Sequence, residues 1–283
     1  MTDADRNATE LLTKPVSRRG ALALLGGLGL VAAGCSGGSD SSSATATTSR
    51  SSATSTTSGA TTTTTGSAAT AVTSCSTIPS ETAGPYPGDG SNGPNALSES
   101  GIVRKDIRTS FDGSSGTAEG VPYMIQFTVV DVDRGCKPLE GAAVYVWHCD
   151  RDGDYSMYTA SGANYLRGVQ AADANGLVTF TSIFPAAYAG RWPHVHFEVY
   201  PSVDAATSGG TKLATSQLAL PKPVCDAVYA TDGYEASVGN LANTSLATDM
   251  VFSDGVSLQT PSMTGNVTSG YVSSLVVGVT GTV

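Results

Sequence analysis

The sequence predicts an all-β fold, an antiparallel β-sandwich, for the part of the chain between residues 74 and 283. Short runs rich in β-branched and aromatic residues recur along this part, and such runs are typical of strands. Gly, Asp, Asn and Pro lie between the runs, where they favour turns. Helical periodicity is weak throughout, so we expect strands packed in two layers rather than a helical core.

Six runs are predicted strands, and in most of them apolar and polar residues alternate, as expected where one face is buried. The third follows the turn Asp173-Ala174-Asn175-Gly176. Residues 229–248 fit no strand pattern, and we expect a loop with a short helical turn there. The predicted strands span residues 123–132, 141–148, 176–183, 194–200, 212–220 and 271–279.

The first 35 residues predict an export signal. A twin-arginine pair, Arg18-Arg19, precedes an uncharged run over residues 21–34, which is shorter than the roughly 20 residues a transmembrane helix needs. The run ends at Gly34-Cys35, which resembles a bacterial lipoprotein cleavage site with Cys35 as the lipidated residue. We therefore expect an exported, cell-surface or extracellular protein anchored to the membrane through Cys35; cleavage and release is the alternative.

Residues 36–73 predict a disordered tether. They are almost wholly Ser, Thr, Ala and Gly, with Asp40 and Arg50 as the only charges, so they lack the apolar surface that would offset their ordering entropy. A coil of this length holds its ends roughly 30–35 Å apart. The remaining residues, 74–283, suit one domain, and the net charge of −9 argues against a nucleic-acid partner.

Four cysteines fall in the domain: Cys75, Cys136, Cys149 and Cys225. An even number in an exported domain predicts two disulfides, with three possible pairings. A bridge between Cys136 and Cys149 is disfavoured, because an intervening strand would hold the sulfurs roughly 20 Å or more apart. We prefer the pairing Cys75–Cys136 with Cys149–Cys225.

His194 and His196 are two of only three histidines in the chain. On a strand they share one face, while Val195 points to the other, so both imidazoles can reach one metal ion. An isolated H-x-H is more often a surface pair. Here, however, Tyr155 follows a strand end, Tyr188 precedes His194 by six residues and Arg191 precedes it by three.

Two tyrosines and two histidines predict a particular metal. Phenolate is a hard, anionic oxygen ligand that favours a small, highly charged ion such as Fe(III). Only a strong Lewis acid deprotonates tyrosine at neutral pH, since the free side chain has a pKa of about 10. The guanidinium of Arg191 would stabilise negative charge on a substrate beside the metal.

Several separate motifs within residues 81–218 resemble the intradiol ring-cleavage dioxygenases, the family of catechol and protocatechuate dioxygenases. The motifs are W-H-x-x-x-x-G-x-Y-S over residues 147–156, L-R-G-x-Q over 166–170 with Asp173 and Gly176, Tyr188, R-x-x-H-x-H at Arg191, His194 and His196, Gln217, and Gly84-Pro85-Tyr86.

This resemblance implies an Fe(III) enzyme with one non-haem iron per chain, held by Tyr155, Tyr188, His194 and His196. The reaction implied is cleavage of a catechol-type ring by O₂ between its two hydroxyl-bearing carbons, giving a cis,cis-muconate-type diacid. Tyr188 would leave the iron and help accept a proton. Arg191 and Gln217 would act near the substrate, and the segment Gly84-Pro85-Tyr86 would cover the mouth of the site.

Two departures from the family pattern stand out. Ala186 replaces a glycine two residues before Tyr188. No counterpart of the helical dimerisation region of bacterial catechol dioxygenases is present, so we expect the secreted, single-domain branch and leave the oligomeric state open. The alternatives are a non-catalytic β-sandwich binding module, and a copper or zinc hydrolase that uses His194, His196 and a carboxylate.

Replacing Cys35 tests the predicted anchor. A fatty-acid analogue fed to cells should label the wild-type protein but not Cys35→Ala, because the acylated thiol is gone. Equal labelling of the two proteins would contradict a lipid at Cys35.

Overall fold

The computed structural model describes residues 72–281. The predicted signal, Cys35 and nearly all of the predicted tether lie outside these residues. The described part forms two β-sheets with few helices, which confirms the predicted all-β class. Within it, no helix is long and apolar enough to cross a membrane.

Nine strands and three short helices make up the described part, with 3-10 turns at Ala96–Ser98 and Leu246–Thr248. The elements are β1 (Pro122–Asp131), β2 (Lys137–Pro138), β3 (Ala143–Trp147), β4 (Arg167–Ala171), β5 (Leu177–Ile183), β6 (His194–Tyr200), α1 (Val203–Thr207), β7 (Ala214–Ala219), α2 (Lys222–Tyr229), α3 (Glu235–Ala242), β8 (Ser262–Asn266) and β9 (Gly270–Val279).

The two sheets differ in how their strands pair. In the five-stranded sheet, β1 lies beside β9 in parallel and pairs antiparallel with β5 and β2 at its other edge, while β8 pairs antiparallel with β9. The four-stranded sheet is wholly antiparallel, in the order β4-β3-β6-β7. Strand β6 is therefore an interior strand, hydrogen-bonded along both edges.

The four-stranded sheet is buried on both faces, and every residue of β3 and β6 is buried. Val195, Phe197 and Val199 of β6 point into the core between the sheets, where the rings of Phe197 and Phe127 lie 4.8 Å apart. The opposite face carries His194 and His196 toward a second cluster that includes Trp147 and Tyr155. Strand alternation thus separates the packing residues of β6 from its polar residues.

All six predicted strands are present, with ends shifted by no more than two residues. Strand β4 was not predicted as a strand because it is short and contains Gly168, whose missing Cβ leaves room for Ile107; an added Cβ would lie 2.5 Å from that side chain. Helix α2 was also missed. Pro221 and Pro223 at its start favour helix initiation, and the helix buries Cys225, Val228 and Tyr229.

One predicted disulfide is confirmed and the other is wrong. Cys75 and Cys136 are bridged, whereas Cys149 and Cys225 are free and buried. The two free thiols belong to different apolar clusters: Cys225 lies on α2 in the core between the sheets, and Cys149 lies in the cluster around Trp147. Burial raises the pKa of both thiols, to about 12 for Cys225, so they pack as small apolar side chains.

His148 joins the two sheets through both ring nitrogens. It directly follows β3, and its Nδ1 lies 2.7 Å from the carbonyl oxygen of Cys149 while its Nε2 lies 2.7 Å from the hydroxyl of Ser182 on β5. Because a carbonyl only accepts, Nδ1 donates and Nε2 accepts from Ser182. Burial lowers the pKa of His148 to about 4, so the ring is neutral at pH 7.

Acidification should destabilise the domain through His148. The unfolded side chain has a pKa near 6.5 and the folded one about 4, so the unfolded state binds more protons between these values. The stabilisation is complete above about pH 6.5 and is lost as the pH falls toward 4, amounting to about 3 kcal/mol. Urea unfolding of iron-free wild type and His148→Gln from pH 7 to 4 measures this. The variant should show the shallower pH dependence; equal slopes would contradict the assignment.

Candidate metal centre

His194 occupies the first position of β6, where the backbone fixes its tautomer. Its Nδ1 lies 2.5 Å from the carbonyl oxygen of Trp192, so Nδ1 carries the hydrogen and Nε2 presents its lone pair. Burial lowers the pKa of His194 to about 3. The ring is therefore a neutral ligand at physiological pH, as metal binding requires.

His196 is held by its neighbour on the adjacent strand. Trp147 of β3 pairs with it across the sheet, and the two rings stack with centroids 4.8 Å apart and planes 4° apart. Its Nε2 lies 3.0 Å from Nε2 of His194, and burial holds its pKa well below the ordinary value. Its Nδ1 has no hydrogen-bond partner among the described residues.

Tyr155 is presented by a loop that folds around Asp150. The Oδ1 atom of Asp150 accepts from the backbone N–H groups of Asp152 and Asp154, and Oδ2 accepts from the Tyr165 hydroxyl. Tyr155 is 2 % exposed, and its ring lies 4.9 Å from that of Tyr86. Burial raises the pKa of Tyr155 well above its ordinary value.

Tyr188 lies on the loop between β5 and β6. Hydrogen bonds with side chains of α3 hold this loop in place. The hydroxyl of Ser237 accepts a hydrogen bond from the backbone N–H of Ala187, and the side-chain amide of Asn240 donates one to the carbonyl oxygen of Ala187. The hydroxyl of Tyr188 lies 3.2 Å from Nε2 of His194 and 3.4 Å from the hydroxyl of Tyr155. Burial raises the pKa of Tyr188 to about 12, and the ring is half-buried at the wall of a cavity.

The structure thus brings the four predicted ligands together. Two phenol oxygens and two imidazole nitrogens form a continuous series of contacts, from Tyr155 through Tyr188 and His194 to His196, with neighbouring atoms 3.0–3.4 Å apart. Two buried imidazole nitrogens facing each other suit a cation between them, and the hard phenol oxygens suit Fe(III). Across residues 72–281, His, Cys, Asp and Glu alone form no cluster of three or more that could hold a metal, so the tyrosines are essential to this donor set.

Arg191 lies beside this centre in a fixed orientation. Its Nε donates to Oδ2 of Asp249 over 2.9 Å, and its Nη2 donates to Oε1 of Gln217 over 2.7 Å. Burial alone would raise the pKa of Asp249, but hydrogen bonds from Arg191 and from the backbone outweigh it and hold that pKa below the ordinary value. The guanidinium is therefore paired with a buried carboxylate.

Gln217 stands behind Arg191 rather than in the cavity wall. It is fully buried on β7, opposite His196 in the sheet. Its Nε2 donates to the carbonyl oxygen of Thr82, so both ends of the amide are bonded. Gln217 can therefore orient Arg191, and it reaches the substrate only through that residue.

A chamber of 570 Å³ opens onto Tyr155 and Tyr188. The three residues predicted to cover the mouth, Gly84, Pro85 and Tyr86, lie in its wall. Sequence reasoning missed four other wall residues and also Asp249. The wall residues missed are Thr82, Thr159, Ala189 and Met250.

Arg167 holds the segment at the chamber mouth in place through hydrogen bonds to backbone carbonyl groups. It is buried, and its Nη1 and Nη2 donate to the carbonyl oxygens of Pro87 and Tyr86. Its Nε and Nη2 also donate to the hydroxyl and carbonyl oxygens of Ser156. One side chain thus ties the mouth segment to the residue that follows Tyr155.

Comparisons with known proteins agree with this centre. A family model described as a dioxygenase matches residues 92–196, a stretch that contains all four candidate ligands. The chain is similar to a catechol 1,2-dioxygenase from Pseudomonas sp. (strain EST1001), at 39 % identity over 57 residues, 20 % of this chain and 19 % of that protein. It is also similar to a hydroxyquinol 1,2-dioxygenase from Corynebacterium glutamicum, at 34 % identity over 74 residues, 26 % of this chain and 24 % of that protein.

These matched stretches span about a fifth and about a quarter of the two curated relatives. The fold is similar over a longer range to the solved intradiol ring-cleavage dioxygenase from Tetranychus urticae, with a TM-score of 0.56 and 24 % identity, covering 73 % of this chain and 95 % of that one. The family model thus covers the ligand-bearing segment, and the fold of the chain is similar to that of an intradiol ring-cleavage dioxygenase.

Proposed function

We propose that the protein is a non-haem Fe(III) dioxygenase that opens catechol-type rings between the two hydroxyl-bearing carbons. The observation that carries this is the convergence of Tyr155, Tyr188, His194 and His196 at one end of an open chamber. Both atoms of O₂ enter the product and one ring carbon–carbon bond breaks. The atoms of one catechol and one O₂ therefore account for the whole cis,cis-muconate-type diacid, and no other reactant is needed.

The four converging side chains would hold the iron. When bound, Fe(III) would act as a Lewis acid that withdraws electron density from the coordinated diol ring and makes it reactive toward O₂. The protein's own contribution is to keep the imidazoles neutral and buried, and to hold both phenols against them.

Tyr188 is the residue placed to take a proton from the substrate. It is half-buried and lines the chamber, whereas Tyr155 is almost wholly enclosed. As a ligand, Tyr188 would be a phenolate, and since burial raises the pKa of its free hydroxyl to about 12, its oxygen would take up a proton once released from the metal. The Tyr188 phenolate would thus accept one proton from an incoming diol.

Arg191 would stabilise negative charge that develops on the ring. It lines the chamber, and Asp249 and Gln217 fix its guanidinium before substrate arrives. Such a preorganised donor needs no reorientation during the reaction.

The geometry disfavours both alternatives. A hydrolase using His194, His196 and a carboxylate needs an acidic third ligand, yet the described residues hold no such cluster. That reading also gives the two tyrosines no role. A binding module that had lost the chemistry would carry a broken ligand set, whereas all four side chains are present and converge.

The substrates in this proposal are a small aromatic diol and O₂, with no nucleic acid. We also propose that the enzyme works outside the cell, tethered through Cys35. The Cys75–Cys136 bridge supports this location, since disulfides persist in oxidising compartments.

Iron content and colour test the ligand set. The purified protein should hold one iron per chain and be red-brown from phenolate-to-iron charge transfer. Tyr155→Phe should weaken iron retention by more than about tenfold, because its ligation is expected to persist through the reaction. Tyr188→Phe should shift the absorption band and impair turnover. Tyr158→Phe, a tyrosine outside the ligand set, is the matched control and should keep iron and colour. A colourless, iron-free wild type would overturn the proposal.

Arg191 and the product test the reaction. Arg191→Ala should retain iron and colour but lose about 10²–10³ in kcat, because one preorganised charge-stabilising donor is removed. Product analysis with catechol should give the muconate-type diacid. A yellow semialdehyde would mean cleavage beside the hydroxyl-bearing carbons and would contradict the assignment, as would an Arg191→Ala variant with unchanged kcat.

A further inference from the structure

The chamber over the metal centre is larger than a single-ring diol requires. Its volume of 570 Å³ lies in the range of pockets that enclose drug-sized ligands, about 300–1,000 Å³. Besides Tyr155 and Tyr188, its wall includes Pro85 and Met250, which are exposed and form its rim, and Tyr86, whose ring lies against that of Tyr155. A catechol placed with its hydroxyls at the ligands would therefore leave the rim side of the chamber empty.

The wall of the chamber holds a single cationic group, which is already paired with a carboxylate and would compensate an anionic substituent poorly. Arg191 is the only charged residue that lines it, and Asp249 and Gln217 already hold its Nε and Nη2. The other polar side chains in the wall are the neutral hydroxyls of Thr82, Thr159 and the tyrosines. The net charge of −9 also works against an incoming carboxylate.

Met250 at the rim is an exposed apolar residue whose neighbouring backbone is held in place. At 79 % exposure it is the most exposed of the large apolar residues in the described part. Its backbone is held by the buried carboxylate of Asp249, whose Oδ1 accepts from the backbone N–H groups of Val251 and Phe252 and whose Oδ2 accepts from that of Trp192. The same carboxylate binds Arg191, so Met250 has a fixed place relative to the centre.

We propose that the chamber takes catechols carrying a bulky uncharged substituent, and that Met250 determines this specificity by contacting the substituent. This rests on the proposed function. The flexible, polarisable thioether of methionine adapts to apolar and aromatic groups of varied shape. Tyr86 and Pro85 supply further apolar surface in the same wall, and the hydroxyls of the threonines can form hydrogen bonds with neutral polar groups on the substituent.

Three diols test the substrate class: catechol, 4-propylcatechol and 3,4-dihydroxybenzoate. The wild-type enzyme should give the highest kcat/KM with 4-propylcatechol and the lowest with 3,4-dihydroxybenzoate. A value for 3,4-dihydroxybenzoate equal to or above that for 4-propylcatechol would overturn the proposal.

Substitutions of Met250 test its role. Met250→Ala should lower kcat/KM for 4-propylcatechol by roughly five- to tenfold, the lower end of what a lost apolar contact costs in specificity, and should lower kcat/KM for catechol by less. Met250→Lys should raise kcat/KM for 3,4-dihydroxybenzoate by about two- to fivefold at low salt, a gain that high salt removes. An equal effect of either substitution on all three diols would refute a specificity role.

Val238→Lys is the matched control for charge. Val238 is another exposed apolar residue, 55 % exposed on α3 and not part of the chamber wall. The Val238→Lys substitution introduces the same cation away from the chamber, so it should leave the preference among the three diols unchanged. A gain for 3,4-dihydroxybenzoate equal to that of Met250→Lys would trace the effect to net charge and refute the local role.

Binding of unreactive phenols separates this proposal from the proposed function. Equilibrium dialysis should show 4-propylphenol binding more tightly than 4-hydroxybenzoate, and Met250→Ala should remove most of that difference. If this preference holds but no diol is opened, the proposed reaction fails while the chamber assignment stands. If diols are opened but the binding preference is absent or reversed, the chamber assignment fails alone.

Discussion

Burial of β6 on both faces is the constraint on which the rest of the structure depends. One face must pack against the five-stranded sheet, and Val195, Phe197 and Val199 do so. The other face is closed off from water as well, so the polar side chains of the strand must be neutral or paired. An unpaired buried ion would cost several kcal/mol, whereas a neutral imidazole that keeps its hydrogen bond costs far less. His194 and His196 are therefore held as neutral imidazoles, His194 by its hydrogen bond to the Trp192 carbonyl oxygen and His196 by stacking on Trp147.

The same constraint explains the charged residues of this sheet. Glu198 also faces away from the core and is fully buried, and burial raises its pKa. It accepts hydrogen bonds from Lys212 and from the Tyr200 hydroxyl. Lys212 also bonds Asp89 in the segment that follows the chamber mouth. Because the buried carboxylate of Glu198 must be paired, it holds Lys212 in place, and Lys212 in turn binds the loop that contains Asp89 to the sheet.

Arg167 shows the other solution to a buried charge. No acidic group pairs with it among its hydrogen-bond partners; instead, carbonyl and hydroxyl oxygens of Tyr86, Pro87, Tyr145 and Ser156 accept from all three of its nitrogens. Charge-assisted hydrogen bonds of this kind are the stronger ones. Because its acceptors belong to three separate segments, satisfying this one cation fixes how the mouth, β3 and the Tyr155 loop meet. The wall of the chamber is accordingly preorganised rather than formed around the substrate.

The sequence predicted what depends on local pattern, and missed what depends on contacts between distant segments. The alternation of side chains predicted both ends of β6 correctly and placed both histidines on one face. The positions of the motifs identified Tyr155 and Tyr188. Asp249 carries no such signal: it lies 58 residues from Arg191, in a stretch without strand or helix pattern. The Cys149–Cys225 pairing failed for the same reason, since counting cysteines does not reveal that they lie in different clusters. Yet Asp249 completes the site, because its buried carboxylate both orients the guanidinium beside the metal centre and fixes Met250 at the rim. A single long-range contact thus connects the residue proposed to stabilise charge on the ring with the residue proposed to select the ring's substituent.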